Sequence, residues 1–403
     1  MKIKSVYWEK LVLILFSLIF YQKYGGSFFA IFPLSLYVLV ILSLILFFKK
    51  EKKIKLNLWF FLLFIFFLNM LTSLFWTNAL FYGLQKVIII IITLFTFYAI
   101  APIIRKNFIF FIKVNFIFFL IYLINLYIQY GFFEQLSDML NVRFRLGWDD
   151  EGSALNPIGI ARYLLYGFIN IAFYVLITKE TKKYNFFIKI SLSIASLVGV
   201  LYLFFTGTKA PILAFISSIL LYIFINKYIN RKIKVTILII PLLTYLMYSS
   251  INLLNQNNLT QSQQDYIEYR YLNTDAALSD RAMQNERALT KIDGTIILFG
   301  AGSGDFGHLY TGQDQRDYPH NILSEILYEN GIINLIIFLS LFFYILHLSR
   351  KNKSIPLAFF IISFNYFFIN ALFSGDLISN NLVFGFLVLI ILEVQREQKK
   401  YIL

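Results

Sequence analysis

The stretch LFYGLQKVIIIIITLFTFYAIAPI, residues 80–103, decides the fold class. It runs for 24 residues with Lys86 as its one charged side chain. An apolar run of about 20 residues is what an α-helix needs to cross the hydrocarbon core of a bilayer. Read outward from it, further runs recur near 8–22, 27–48, 57–76, 107–129, 158–178, 185–205, 210–226, 233–253, 321–349, 355–374 and 376–394. The composition agrees: 59% of residues are hydrophobic and 14% charged, against about 45–50% and about 25% in a soluble domain. The sequence therefore predicts an all-α polytopic integral membrane protein with about twelve transmembrane helices. The first run follows a basic start, MKIKSVYWEK, and has no small-residue cleavage site, so it reads as an uncleaved anchor.

Twelve spans sort the connections into two sets, and the basic residues follow that division. The N-terminus, the KKEKK and KETKK regions, Arg105–Lys106, the segment 227–234, RKNK at 350–353 and the C-terminus hold 23 of the 36 lysines and arginines. The opposite short connections hold Lys23, Arg143, Arg145 and Lys209. By the positive-inside rule both termini are cytoplasmic. In a membrane protein the net charge of +14 thus reports sidedness, and it gives no reason to expect nucleic acid. The absence of cysteine excludes disulfides and thiolate chemistry.

The organisation expected is nine spans over 1–253 with an outer loop at 130–157, a large outer loop at 254–320, then three spans and a cytoplasmic tail over 321–403. Chemistry is expected in the two long outer loops. Arg162 and Lys86 lie about one turn in from the outer face. There they join Arg143, Arg145 and Lys209 in a positive cluster, whereas Lys113 and Lys189 can snorkel to the cytoplasmic side. Lys209 precedes Pro211 at a helix start, where free N–H groups favour an anion. In the large loop, Leu278, Ala282, Asn285 and Leu289 recur as a helical stripe with Arg281 along it. An arginine on a packing face needs an anion or a carboxylate, with Asp280 and Asp305 as candidate partners.

Other features carry less. Gly302, Gly304 and Gly307 form a literal G-x-G-x-x-G, but without the strand and βαβ unit of a dinucleotide site. They read as flexible glycines that let the loop fold back over the membrane surface. The acids at 265, 268, 275, 280, 305, 314 and 317 form no metal-binding run and read as solvated; Asp149, Asp150 and Glu151 make one acidic knot. His320 stands where the polar loop RDYPHN becomes an apolar helix, at the depth of lipid head groups, and can exchange a proton near neutral pH.

YPHNILSEILYENG, with His320, Asn321 and Gly331, resembles the H-[NSQ]-x9-G signature of the bacterial O-antigen polymerase and O-antigen ligase superfamily. LSDRAMQNERAL followed by LFGAGSGDF resembles that family's arginine helix and G-x-G segment, and LFFTGTKAPIL resembles its T-x-S-R stretch. Two positions depart from the pattern: Asn334 replaces a second glycine, and Lys209 replaces an arginine, keeping the charge but losing the bidentate fork.

The resemblance implies a C-type-fold, metal-independent inverting glycosyltransferase of the bacterial cytoplasmic membrane, acting in polysaccharide or lipopolysaccharide synthesis. It implies glycans on undecaprenyl diphosphate as donor and acceptor. No cofactor is implied, since the lipid carrier belongs to the substrate. By resemblance Arg281 and Lys209 bind the diphosphate, and His320 assists attack by an acceptor hydroxyl; Arg143, Arg145 and Arg162 join the diphosphate site from position alone. A chain-length regulator and a flippase of the same pathway are the implied partners, besides membrane lipids. A polymerase is preferred to a ligase that transfers the glycan to lipid A-core. A lipid-linked oligosaccharide transporter is the rival from another class, but it would show internal repeats and interrupted spans lining a midplane site.

Overall fold

The computed structural model describes residues 2–22, 58–130, 157–180, 186–206, 208, 210–225, 274–349 and 354–400. Every regular element among them is helical. Numbered in chain order, the helices are α1 (Lys2–Gln22), α2 (Leu58–Thr72), α3 (Leu80–Lys106), α4 (Phe108–Tyr130), α5 (Pro157–Glu180), α6 (Phe186–Thr206) and α7 (Ala210–Ile225). Then come α8 (Thr274–Thr290), α9 (Gly294–Phe299), α10 (Asp305–Thr311), α11 (Ile322–Ser349), α12 (Ile355–Ala371) and α13 (Asn381–Lys400). A 3₁₀ turn, Ser73–Phe75, follows α2.

Ten of these helices coincide with expected apolar runs. The runs at 27–48 and 233–253 lie outside the described residues. Among the described residues, five helices are long and apolar enough to cross a membrane: Leu58–Phe75, Leu80–Lys106, Phe108–Ile128, Ile158–Ile177 and Ile322–His347. The chain is a multi-pass helical membrane protein. One boundary is corrected: the last run, expected from 376, becomes helical at Asn381, because Asp376 turns the chain by accepting the Ser379 N–H at 2.8 Å.

The chain divides into two compact units, Met1–Lys49 with Ile100–Tyr266, and Lys50–Ala99 with Ile267–Leu403. In the first, α5 packs against α4, α6 and α7, and α1 packs on α4. Lipid tails are as apolar as leucine, so such helices associate through close packing and polar ties rather than through escape from water. Gly167 on α5 shows the packing: a Cβ there would stand 2.1 Å from the Phe119 ring. The ties are Tyr21 Oη to the Asn115 carbonyl at 3.0 Å, Asn115 Nδ2 to Ser17 Oγ at 3.2 Å, and Lys106 to Glu9 at 2.7 Å.

In the second unit α11 packs against α2, α8, α9, α10 and α12, and α12 packs on α13. Phe66, Phe338, Phe368 and Phe384 are among its interlocking buried rings. Ala288 of α8, Phe306 and Tyr328 form a smaller core with Ile292, Ala301 and Leu309 packed on it. This corrects the expected stripe of α8. Ala282 is exposed and Leu289 is 48% exposed, so the packed face centres on Ala288.

Candidate functional site

His320 closes a segment that is pinned at nearly every other residue. Gly312, at φ 72°, ends α10. Asp314 then reaches the start of α3, where its carboxylate accepts the Phe81 and Tyr82 N–H groups at 2.8 and 3.1 Å. These are donors that a helix start leaves without an intrahelical partner. Arg316 donates from Nε and Nη2 to the two carboxylate oxygens of Asp376, at 3.0 and 3.2 Å, and from Nη2 to Ser379 Oγ at 2.7 Å. Its guanidinium lies over the Tyr318 ring, 5.7 Å from the centroid, and that ring meets the His320 imidazole edge-on at 4.5 Å. Asn321 caps α11: its Oδ1 accepts the Leu323 N–H at 2.9 Å.

His320 itself has φ 59°, the one positive φ at a non-glycine residue among those described. The left-handed region costs an L-residue about 1–2 kcal/mol, so it persists only where the surroundings impose it.

Beneath this segment lies a buried ionic network. Lys86 Nζ stands 2.7 Å from Glu325 Oε1 and 2.7 and 2.8 Å from the two oxygens of Glu329, and all three side chains are fully buried. Glu325 Oε1 also accepts the Leu377 N–H at 3.2 Å, tying the turn before α13 to α11. In that turn the buried Asp376 carboxylate accepts from Tyr82 Oη as well as from Arg316 and Ser379. Burial alone would raise the Asp376 carboxyl. Arg316, Lys86 and the hydrogen bonds from Ser379 and Tyr82 outweigh it and hold the group well below the usual carboxylate range. Burial likewise works against the Arg316 charge, but Asp376 more than offsets it and raises the guanidinium above its ordinary value. At Asp317 burial raises the carboxyl, partly offset by the Tyr318 N–H.

The glycine segment is locked rather than flexible, which corrects the expectation from sequence. Gly300, Gly302 and Gly304 have φ of 80°, 112° and 85°. A Cβ at Gly300 would stand 2.2 Å from the Glu329 carbonyl oxygen, and one at Gly304 would stand 2.6 Å from Gly83 N. The segment lies against α11 through Ala301 N–H to Tyr328 O at 2.8 Å and Gly302 N–H to Glu329 O at 3.0 Å. Only glycine combines these dihedral angles with so close an approach. Gly331, at φ 77° and ψ 175°, interrupts α11, and a Cβ there would meet the Leu298 carbonyl oxygen at 2.2 Å. Asn69 donates to the Asn330 carbonyl at 3.3 Å and to Asn334 Oδ1 at 3.2 Å, while Asn334 donates to Phe66 O at 3.0 Å. Polar side chains thus serve the backbone around the interruption, as buried non-helical backbone requires.

Residues 194–339 match the family model for O-antigen ligase. This match supports the resemblance to the O-antigen polymerase and O-antigen ligase superfamily over that part of the chain. No curated protein matches the chain. The matched region runs from α6 into α11 and includes Lys209, Arg281, His320, Asn321 and Gly331.

The expected site residues fall as follows. His320, Asn321 and Gly331 share the second unit, at the start and the interruption of α11. Arg281 is in α8 of the same unit, and its side chain lies outside the described residues, as does that of Asp280. Asp305, the other candidate partner for Arg281, accepts from Asn78 and Tyr328 at 3.0 Å. The buried Asp305 is therefore a structural acid, not a solvated one, whereas Asp314 is exposed and still caps the start of α3.

Arg162 is in the first unit, 6% exposed near the start of α5. Lys209 lies outside the described residues, directly before α7, as do Arg143 and Arg145. Lys86 leaves the expected positive cluster, because it is neutralised by Glu325 and Glu329. Those two glutamates, Arg316 and Asp376 are what sequence reading missed. The available signal was a pair of acids one helical turn apart, in SEILYEN, set against one lysine in another apolar run.

Proposed function

We propose that the chain is a polysaccharide polymerase of O-antigen or capsule type. The growing glycan leaves undecaprenyl diphosphate and is joined to a lipid-linked repeat unit. The supporting observation is the H-N-x9-G segment, which lies within the matched family region and folds with His320 at the head of α11.

The acceptor hydroxyl oxygen forms a bond to the anomeric carbon of the donor from the face opposite the leaving group. The bond from that carbon to the diphosphate oxygen breaks, so configuration inverts. The acceptor proton passes to His320, or His320 orients the hydroxyl by hydrogen bonding. General-base help of this kind is worth about 10²–10⁴-fold. Charge develops on the departing diphosphate, and Arg281 and Lys209 stabilise it, with Arg162, Arg143 and Arg145 as further cations of the site. No metal or cofactor takes part. The fold in this reading is of the glycosyltransferase C type with about twelve spans in the bacterial cytoplasmic membrane. Both termini are cytoplasmic and residues 254–320 lie outside, and a flippase and a chain-length regulator act beside the enzyme.

The test uses purified protein with lipid-linked repeat units extracted from host cells that lack it. A ladder of longer lipid-linked glycans, insensitive to chelator and strongly reduced by His320→Ala and Arg281→Ala, supports the polymerase. The family match is compatible also with the second reading, transfer to lipid A-core. Product that forms only when lipid A-core is added establishes that reading and rejects the first. Sidedness is tested by cysteines placed at Ser262 and Asn352 in this cysteine-free chain. External labelling of the first and internal labelling of the second is the pattern required.

A further inference from the structure

His320 occupies a backbone conformation that its own chemistry disfavours, and the segment before it is tied to the turn before α13. Three contacts run in series there. Asp376, fully buried, is fixed in its turn by Ser379 and Tyr82. Arg316 grips both oxygens of that carboxylate with two nitrogens of its guanidinium, at 3.0 and 3.2 Å. The same guanidinium covers the ring of Tyr318, whose edge packs on the His320 imidazole with centroids 4.5 Å apart. Each link is directional: a two-point ion pair resists rotation, a cation over a ring fixes the ring's plane, and an edge-on pair fixes the second ring against the first.

We propose that Arg316, anchored by Asp376, is a positioning residue that holds the His320 imidazole in its working orientation through the Tyr318 ring. The proposal rests on the reading of His320 as the residue that assists attack. A carboxylate that no solvent reaches makes a firm anchor. About half of the Arg316 side chain is exposed, so it is placed to hold a segment at the surface. Asn321, by capping α11 directly after His320, fixes the other end of the same short stretch.

The experiment compares Arg316→Ala, Arg316→Lys and Asp376→Asn in the full-length purified protein, with lipid-linked repeat units extracted from host cells lacking the enzyme. Displacing a catalytic group by about 1 Å can cost about 100-fold. Arg316→Ala is therefore expected to lower kcat by about 10- to 100-fold with KM for the lipid-linked acceptor little changed. Arg316→Lys, which keeps the charge and loses the fork, should recover only part of the loss. In a His320→Ala background the Arg316→Ala change should cost less than about twofold, because its effect passes through the missing imidazole.

Amide hydrogen exchange over 316–321 supplies a readout independent of turnover, and it should rise in Arg316→Ala and be partly restored in Arg316→Lys. A rise in KM at constant kcat would make Arg316 a substrate contact and overturn the proposal. So would a loss that multiplies with His320→Ala, or unchanged exchange over 316–321. If His320→Ala alone leaves kcat intact, the reading of His320 fails instead, and the exchange result still stands or falls separately.

Discussion

Lys86 stands within 2.8 Å of both carboxylate oxygens of Glu329, and none of these atoms reaches solvent. With Glu325 also 2.7 Å away, one cation serves two buried acids. Removing one partner of such an arrangement leaves charge uncompensated and typically costs about 3–5 kcal/mol. Lys86→Leu should therefore lower the thermal midpoint of the detergent-solubilised protein sharply. Adding Glu325→Gln and Glu329→Gln to that variant should recover part of the loss. An unchanged midpoint in the single variant would show that the triad contributes little.

Gly331 and Gly312 share a positive φ but differ in ψ, 175° against 9°, and in their surroundings. Both have φ above 70°, but a Cβ at Gly312 would meet nothing within 4 Å, whereas one at Gly331 would strike the Leu298 carbonyl. Gly312→Ala should cost about 1–2 kcal/mol from backbone strain alone. Gly331→Ala should cost distinctly more, because α9 must separate from α11. Thermal unfolding of the two variants side by side measures the difference, and equal costs would contradict it.

Acid should loosen the turn before α13. The folded value of the Asp376 carboxyl is depressed, so the stability it contributes is fully present above the unfolded value of about 3.9 and is lost as pH falls below it. Hydrogen exchange at 376–380, taken relative to the intrinsic amide rate at each pH and followed from pH 6 to pH 3, should rise at the acid end in the wild type. Asp376→Asn should abolish that rise; an identical pH profile in the variant would assign the effect elsewhere.

Asn321 is predicted to matter first as a cap. Asn321→Ala should cost about 0.5–2 kcal/mol, and Asn321→Asp or Asn321→Ser should recover most of it, since each offers an oxygen to the Leu323 N–H. If the serine variant were as unstable as the alanine variant, the cap would not be the cause.

Sequence reading recovered what depends on local pattern. The apolar runs at 80–103, 107–129, 158–178 and 321–349 became helices because uninterrupted apolar side chains of the right length leave the backbone no better way to satisfy itself in lipid. The H-N-x9-G segment was legible for the same local reason: Asn321 caps α11 and Gly331 interrupts it. The misreadings concern partners far along the chain. Lys86 looked like a free cation because Glu325 lies 239 residues away. Gly302 and Gly304 looked flexible because the backbone they approach, at Thr77 and Gly83, cannot be seen from their own neighbourhood. On α8 the stripe read from Leu278, Ala282, Asn285 and Leu289 missed Ala288, because the partners that bury it, Phe306 and Tyr328, lie elsewhere in the sequence.

The interruption at Gly331 also settles a question of length. An unbroken helix over Ile322–Ser349, 28 residues, would extend about 42 Å, well beyond a hydrocarbon slab of about 30 Å. Divided at Gly331, it becomes a nine-residue piece and an eighteen-residue piece, 322–330 and 332–349, and the longer one, at about 27 Å, is close to the slab by itself. The shorter piece carries Glu325 and Glu329, so the acids that hold Lys86 belong to a separate rod with its own direction. A span counted once from hydropathy thus has two mechanical parts, a membrane-thickness strut and a short charged lever beside His320.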